Sequence, residues 1–147
     1  MYQRILLAVD GSSTSKSALE EGIKFAKDQD AKLRLVHVLD FAPIGWAAEG
    51  YVDLSALQDA IRRNGQQILD HAAKLAEKSG VTVEMELLES YGKRISTIII
   101  EATKKWSADL IVIGTHGWRG FDHLLLGSVA EAVMRTAPVP VLLIRAS

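Results

Sequence analysis

Between residues 114 and 128 the chain carries the spacing Gly114-x2-Gly117-x9-Gly127-Ser128, with Gly120 inside it, after a short apolar run and before a segment of helical spacing. Glycine lets a backbone approach an anion closely, and the amides of Gly127, Ser128 and Val129 at a helix amino end can point at phosphate oxygens. The implied chemistry is phosphate binding by main-chain donors, with the Ser128 hydroxyl beside them. Each glycine alone would serve equally as a turn or capping residue; the combined spacing is what points to phosphate. No lysine lies in the stretch, so it is not the G-x4-GK[ST] loop whose lysine reaches the outer phosphates, and strong phosphoryl-transfer catalysis is not expected. Arg119 is its one fixed cation and a candidate phosphate contact, against the plainer reading of a solvated loop arginine. His116 and His123 have the same standing.

Other chemistries find less support. Asp, Glu and His nowhere show metal-ligand spacing, so any Mg²⁺ would be held by the oxygens of a bound ligand and by water. Gly127-Ser128-Val129 is not G-x-S-x-G, no Ser…Asp…His order accompanies it, and no catalytic residue is assigned. His37 in a strand and His71 on a helix read as structural histidines. Trp46 and Tyr51 either fold over a ligand as a lid or cover a helix face, whereas Trp118 marks a contact surface or a hinge.

The elements that must position these residues alternate along the chain. Ile5-Leu6-Leu7-Ala8-Val9 is a continuous apolar run ending at Asp10-Gly11-Ser12-Ser13, the pattern of a strand buried on both faces. Ser12 or Ser13 caps a helix over about 14–29, and residues 32–38 read as a strand that exits into a long loop holding Pro43, Gly45 and Gly50. A helix over about 55–79 follows, interrupted by Gly65 at ~1 kcal/mol relative to Ala and ended by Gly80. The alternation continues with a strand over 81–88, a helix carrying Ile95, Ile98, Ile99, Ala102 and Trp106, a buried strand over 109–113, a helix over 128–136 and a strand over 139–145. Five strands and four helices in βαβ units predict a doubly wound α/β domain with a parallel sheet and helices on both faces. The ligand site of such a sheet lies beyond the carboxyl ends of its strands, which makes Asp10, Val38 and Gly114 neighbours.

Composition narrows the field further. With 147 residues, one domain is expected, and 48% apolar against 24% charged residues is ordinary for a globular chain. A formal net charge of −1 gives no broad attraction to nucleic acid or acidic membranes. There is no cysteine, which removes disulfides, thiol catalysis and thiolate metal sites. The apolar stretch after Arg4 is too short for a signal peptide or a membrane span, so a cytoplasmic location is expected.

The Gly114-x2-Gly117-x9-Gly127-Ser128 pattern resembles the ATP-binding branch of the universal stress protein A family. The opening Ile5-Leu6-Leu7-Ala8-Val9-Asp10-Gly11-Ser12 and the ending Pro138-Val139-Pro140-Val141-Leu142-Leu143-Ile144 are similar to that family too, and the element order matches over the whole domain, residues 1–147. The resemblance implies a Rossmann-like five-stranded parallel sheet of order 3-2-1-4-5 with a bound adenine nucleotide, ATP or else ADP or AMP. Carried over, Asp10 would hold ribose hydroxyls, the main chain of Val38 would read the adenine edge, and Ala8 and Ile113 would line base and sugar. Gly114, Gly117, Gly127, Ser128 and Val129 would surround the phosphates. A strand-end carboxylate can indeed accept from two hydroxyls; the plainer role for Asp10 is a helix cap. The resemblance also implies a homodimer in which the last strand, Val141, Leu142, Leu143 and Ile144, pairs with its copy. That strand is strongly apolar for a sheet edge, and Pro138 and Pro140 remove two amide donors near its start.

The expected function is a dimeric, ATP-binding sensor or adaptor in the stress response, with hydrolysis absent or slow and a downstream protein partner of unknown identity. Alternatives are a slow Mg-dependent ATPase and a nucleotide-free dimerisation module. A redox Rossmann enzyme is disfavoured, because Asp10-Gly11-Ser12-Ser13 replaces the G-x-G-x-x-G turn.

Overall fold

The computed structural model describes residues 1–11, 13–42, 53–115 and 126–145. Along the chain run β1 (Arg4–Ala8), α1 (Ser13–Gln29), β2 (Lys32–Asp40), α2 (Leu54–Lys78), β3 (Val83–Ser90), α3 (Ile95–Trp106), β4 (Leu110–Gly114), α4 (Ser128–Thr136) and β5 (Val141–Ile144). The strands form one sheet in the order β3-β2-β1-β4-β5, and all four pairings are parallel. Fold class and strand order are therefore those expected from the sequence.

Burial explains the arrangement. The odd residues Ile5 and Leu7 of β1, with Val9 just past its end, pack with Leu19 and Ile23 of α1 and Leu69, Ala72 and Ala76 of α2. The even residues Leu6 and Ala8 pack with Ile98 and Ile99 of α3 and Ala130 and Val133 of α4. A central strand walled on both faces needs an apolar side chain at every position, which is why this segment shows no alternation. Right-handed crossovers place α1 and α2 on one face, and the reversal after β3 places α3 and α4 on the other. Strand order switches direction between β1 and β4, where such sheets open a crevice.

Two helical glycines lie where helix and sheet touch. A Cβ on Gly22 would stand 2.5 Å from Leu7 Cδ1, and one on Gly65 would stand 2.8 Å from Leu39 Cδ2 and 3.0 Å from Leu87 Cδ1. Gly65, which weakens α2 as an isolated helix, thus lets it settle onto β2 and β3.

Most boundaries move by a residue or two, each with a local cause. The strand expected over 81–88 runs Val83–Ser90 because Val81 belongs to the end of α2: its amide donates to the Ala76 carbonyl at 3.1 Å and that of Gly80 to Glu77 at 2.9 Å. Gly80 has φ 82°, completing a left-handed helix stop. The last strand, expected over 139–145, is the shorter Val141–Ile144; the prolines withhold amides, though the Pro140 carbonyl accepts from Ile111 N–H at 3.0 Å. No helix among the described residues is long and apolar enough to cross a membrane.

Candidate functional site

Several of the residues singled out from the sequence lie at the carboxyl end of the sheet. Ala8, Val38 and Ile113 are each under 5% exposed and share the apolar cluster on the α3/α4 face. Val9 N–H donates to the Val36 carbonyl at 2.8 Å, just past the Ala8↔Val36 end of the β1–β2 ladder. Backbone direction repeats every second residue, so Val38 presents its amide and carbonyl on that same side of β2, beyond the end of β1. His37, one residue earlier, is buried with Nδ1 2.6 Å from the Val9 carbonyl oxygen, a structural contact. Asp10 is half-buried; continuing the β1–β4 register Leu7↔Val112 by three residues puts it level with Thr115.

Two hydrogen bonds bring the ends of the glycine-rich stretch together. Thr115 N–H donates to the Ile144 carbonyl at 2.9 Å, and Gly127 N–H donates to the Thr115 carbonyl at 2.7 Å. Gly114, at the end of β4, is thereby held close to the first turn of α4. Gly127 is the N-cap of that helix with φ −61° and ψ 149°, a conformation open to any residue, and it makes no side-chain capping bond. A glycine that the backbone does not require leaves the amides of Ser128 and Val129 uncovered by any N-cap side chain. Gly117 and Arg119, together with His116, Trp118, His123, Trp46 and Tyr51, lie outside the described residues.

Ser128, Val129 and Ala132 of α4 form one wall of a cleft of about 400 Å³, and the turn from Gly92 to Ser96 forms the other. Asp40 and Ala42, at the end of β2, complete it. The second wall escaped sequence reasoning, although its signal was there: a glycine and two cations, Gly92-Lys93-Arg94, between a strand and a helix. The turn is firmly built. Gly92 has φ 134°, a region side chains rarely adopt, and the buried Ser90 hydroxyl donates to the Lys93 carbonyl at 2.5 Å. Lys93 Nζ turns to Glu101 Oε1 at 2.9 Å, and Asp40 Oδ1 accepts from Ala42 N–H at 3.1 Å.

Behind this turn a satisfied ion-pair network ties α2 to β3. Arg62 donates to both carboxylate oxygens of Glu89 at 3.0 Å, and Tyr91 Oη donates to Glu89 Oε1 at 2.6 Å. The hydrogen bond from Arg62, then that from Tyr91, holds the Glu89 carboxyl below its ordinary range. Arg62 also stacks over Phe41, 5.2 Å from the ring centre.

At the opposite end of the sheet, two guanidiniums lie against the Trp106 ring, Arg4 at 4.5 Å and Arg34 at 4.8 Å from its centre. Arg34 is bonded to Glu84 and Glu86, and the Glu84 carboxyl is held low chiefly by that hydrogen bond. The Arg34 charge is thus matched within the protein. A larger cleft of about 530 Å³ between α1 and α2 contains none of the expected ligand-binding residues. Among the described residues no group of three or more His, Cys, Asp or Glu side chains is placed to hold a metal ion.

Comparison with known proteins gives a consistent result. The model of the universal stress protein family matches residues 1–145. A universal stress protein of Methanocaldococcus jannaschii is 38% identical over 146 residues, covering 99% of this chain and 83% of that protein. A solved structure from the same family in Burkholderia pseudomallei is 36% identical and superposes with a TM-score of 0.80, covering 99% of this chain and 97% of that one. A universal stress protein solved in complex with cAMP is 26% identical, with a TM-score of 0.74 and 99% of both chains covered.

Proposed function

Because this chain belongs to the universal stress protein family, we propose that it is an adenine-nucleotide-binding domain acting as a cytoplasmic, dimeric sensor or adaptor, with hydrolysis absent or slow. The observation that carries the reading is the cleft of about 400 Å³ at the carboxyl end of the sheet, lined by Ser128 and Val129 from a helix amino end with no side-chain cap. A helix end that keeps its amides for a ligand is an anion site when the ligand carries phosphate. The cAMP complex of a related chain supports adenine in particular.

In this reading Asp10 accepts from ribose hydroxyls, the Val38 main chain reads the adenine edge, and Ala8 and Ile113 line base and sugar. Gly114, Gly117, Gly127, Ser128 and Val129 surround the phosphates, with Arg119 as a further contact. Mg²⁺ is held mainly by the phosphates and water. The edge strand β5 pairs with its copy across a twofold axis, an isologous contact offered by a four-residue apolar edge; sedimentation at micromolar concentration is expected to show a dimer.

Thermal unfolding tests the nucleotide. ATP with Mg²⁺ at 100 times its Kd adds about 2.7 kcal/mol and is expected to raise Tm by roughly 5–10 °C, while GTP and NAD leave it unchanged. No rise with ATP, in protein shown free of co-purified nucleotide, points instead to a nucleotide-free dimerisation module.

A further inference from the structure

Two helix amino ends open onto the same cleft, and only one of them is used by the reading above. Arg94, Ile95 and Ser96 of the α3 end line it opposite Ser128 and Val129 of α4. The N-cap of α3 is Arg94, whose side chain makes no capping bond, and the first turn of α3 holds no acidic residue. A cation at a helix amino end adds charge of the same sign as the macrodipole, an arrangement that an anion placed between them would relieve. Lys93 is engaged by Glu101, so the guanidinium of Arg94 is the cation this turn offers to the cleft.

Ser96 is the independent sign of a ligand. It is 7% exposed, lines the cleft, and its hydroxyl makes no hydrogen bond among the described residues. A hydroxyl on a residue this nearly buried, unbonded among the described residues and at the wall of the cleft, is free to bond a group that enters it.

We infer that the amino end of α3, with Arg94 and Ser96, is a second phosphoryl subsite of the cleft, facing the one at α4. The guanidinium fork matches phosphoryl oxygens, and the Ser96 hydroxyl and the first-turn amides supply further donors. The subsite rests on the nucleotide reading and deepens it: the preferred ligand carries a phosphoryl group that reaches α3. Such a group comes either from the end of a polyphosphate chain or from a phosphate on the ribose 2′ or 3′ position.

The test is isothermal titration of wild type, Arg94→Gln and Ser96→Ala with adenosine, AMP, ATP and adenosine 3′,5′-bisphosphate. Arg94→Gln is expected to weaken at least one phosphorylated ligand about tenfold or more and leave adenosine unchanged, and Ser96→Ala to weaken the same ligand several-fold. Loss on ATP beyond AMP places the end of the chain at α3, loss on the bisphosphate beyond AMP places the ribose phosphate there, and equal loss on all three, which would put the 5′-phosphate itself at α3, overturns a second subsite. Melting temperature without ligand, unchanged or slightly raised in Arg94→Gln, separates the subsite from a structural role. Unchanged affinities, or equal loss on adenosine, overturn the subsite alone. If wild type binds none of the four, the nucleotide reading falls and the subsite with it.

Discussion

The amino end of α2 and the amino ends of α3 and α4 present the same unpaired backbone amides and treat them oppositely. At α2 the chain supplies its own acceptor: Asp53 is the N-cap, and its carboxylate accepts from Ala56 N–H at 3.2 Å. At α3 and α4 the N-caps are Arg94 and Gly127, and neither makes a side-chain capping bond to the amides. Only the latter two ends open onto the cleft of about 400 Å³. A capped end serves the stability of its own helix, whereas an open end facing a cavity is available to an anion from outside. The cations divide the same way: Arg62 is satisfied by Glu89, and Arg94 stands at the cleft.

The largest expected effect comes from closing an open end. Gly127 has backbone angles any residue can adopt, so Gly127→Asp should cap α4 and place a carboxylate where phosphate is proposed to sit. The apo protein is expected to gain a few tenths of a kcal/mol, while the roughly 5–10 °C rise in Tm with ATP disappears. A retained rise would show that the open end of α4 is not where the nucleotide binds.

A glycine kept for packing should behave in reverse. A Cβ at Gly22 would stand 2.5 Å from Leu7 Cδ1, so Gly22→Val is expected to cost about 1–3 kcal/mol through overpacking. The urea midpoint should fall while the nucleotide-induced rise survives. Next, Asp53→Ala removes the closed cap of α2 and should cost about 1 kcal/mol with nucleotide affinity unchanged; altered affinity would couple α2 to the cleft.

The smallest effect concerns the satisfied cation. Arg62 and Tyr91 depress the Glu89 carboxyl in the folded state, so its contribution is complete above the ordinary carboxylate value of 4.5 and fades as pH falls through the folded value. Glu89→Gln should make the loss of stability on the acid side less steep, measured as urea midpoints between about pH 3 and pH 7. An identical acid profile would remove Glu89 from the account.

Local physics made much of the fold legible. A run such as Ile5 to Val9, apolar at every position, suits only a strand covered on both faces, and alternation of strands with helical patterns leaves a parallel sheet as the economical topology. The family resemblance added the strand order. The errors at the ends of β3 and β5 arose because Val81 and Val139 look like strand residues, whereas helix termination at Gly80 and the missing proline amides decide where pairing begins. At the site, one wall was readable because its glycine spacing is a linear pattern. The turn at Gly92, with Arg94 and Ser96, was not, because nothing in the local sequence says that this helix end faces α4 across a cavity.

The sequence by itself thus determined the element types, the buried faces and the glycine spacing on which the proposed phosphate site rests, since these follow from the chemistry of neighbouring residues. Tertiary structure alone decided which helix ends share a cleft and why Gly22 and Gly65 lack side chains. Those answers depend on distances between residues far apart in the chain, which exist only once the sheet has assembled.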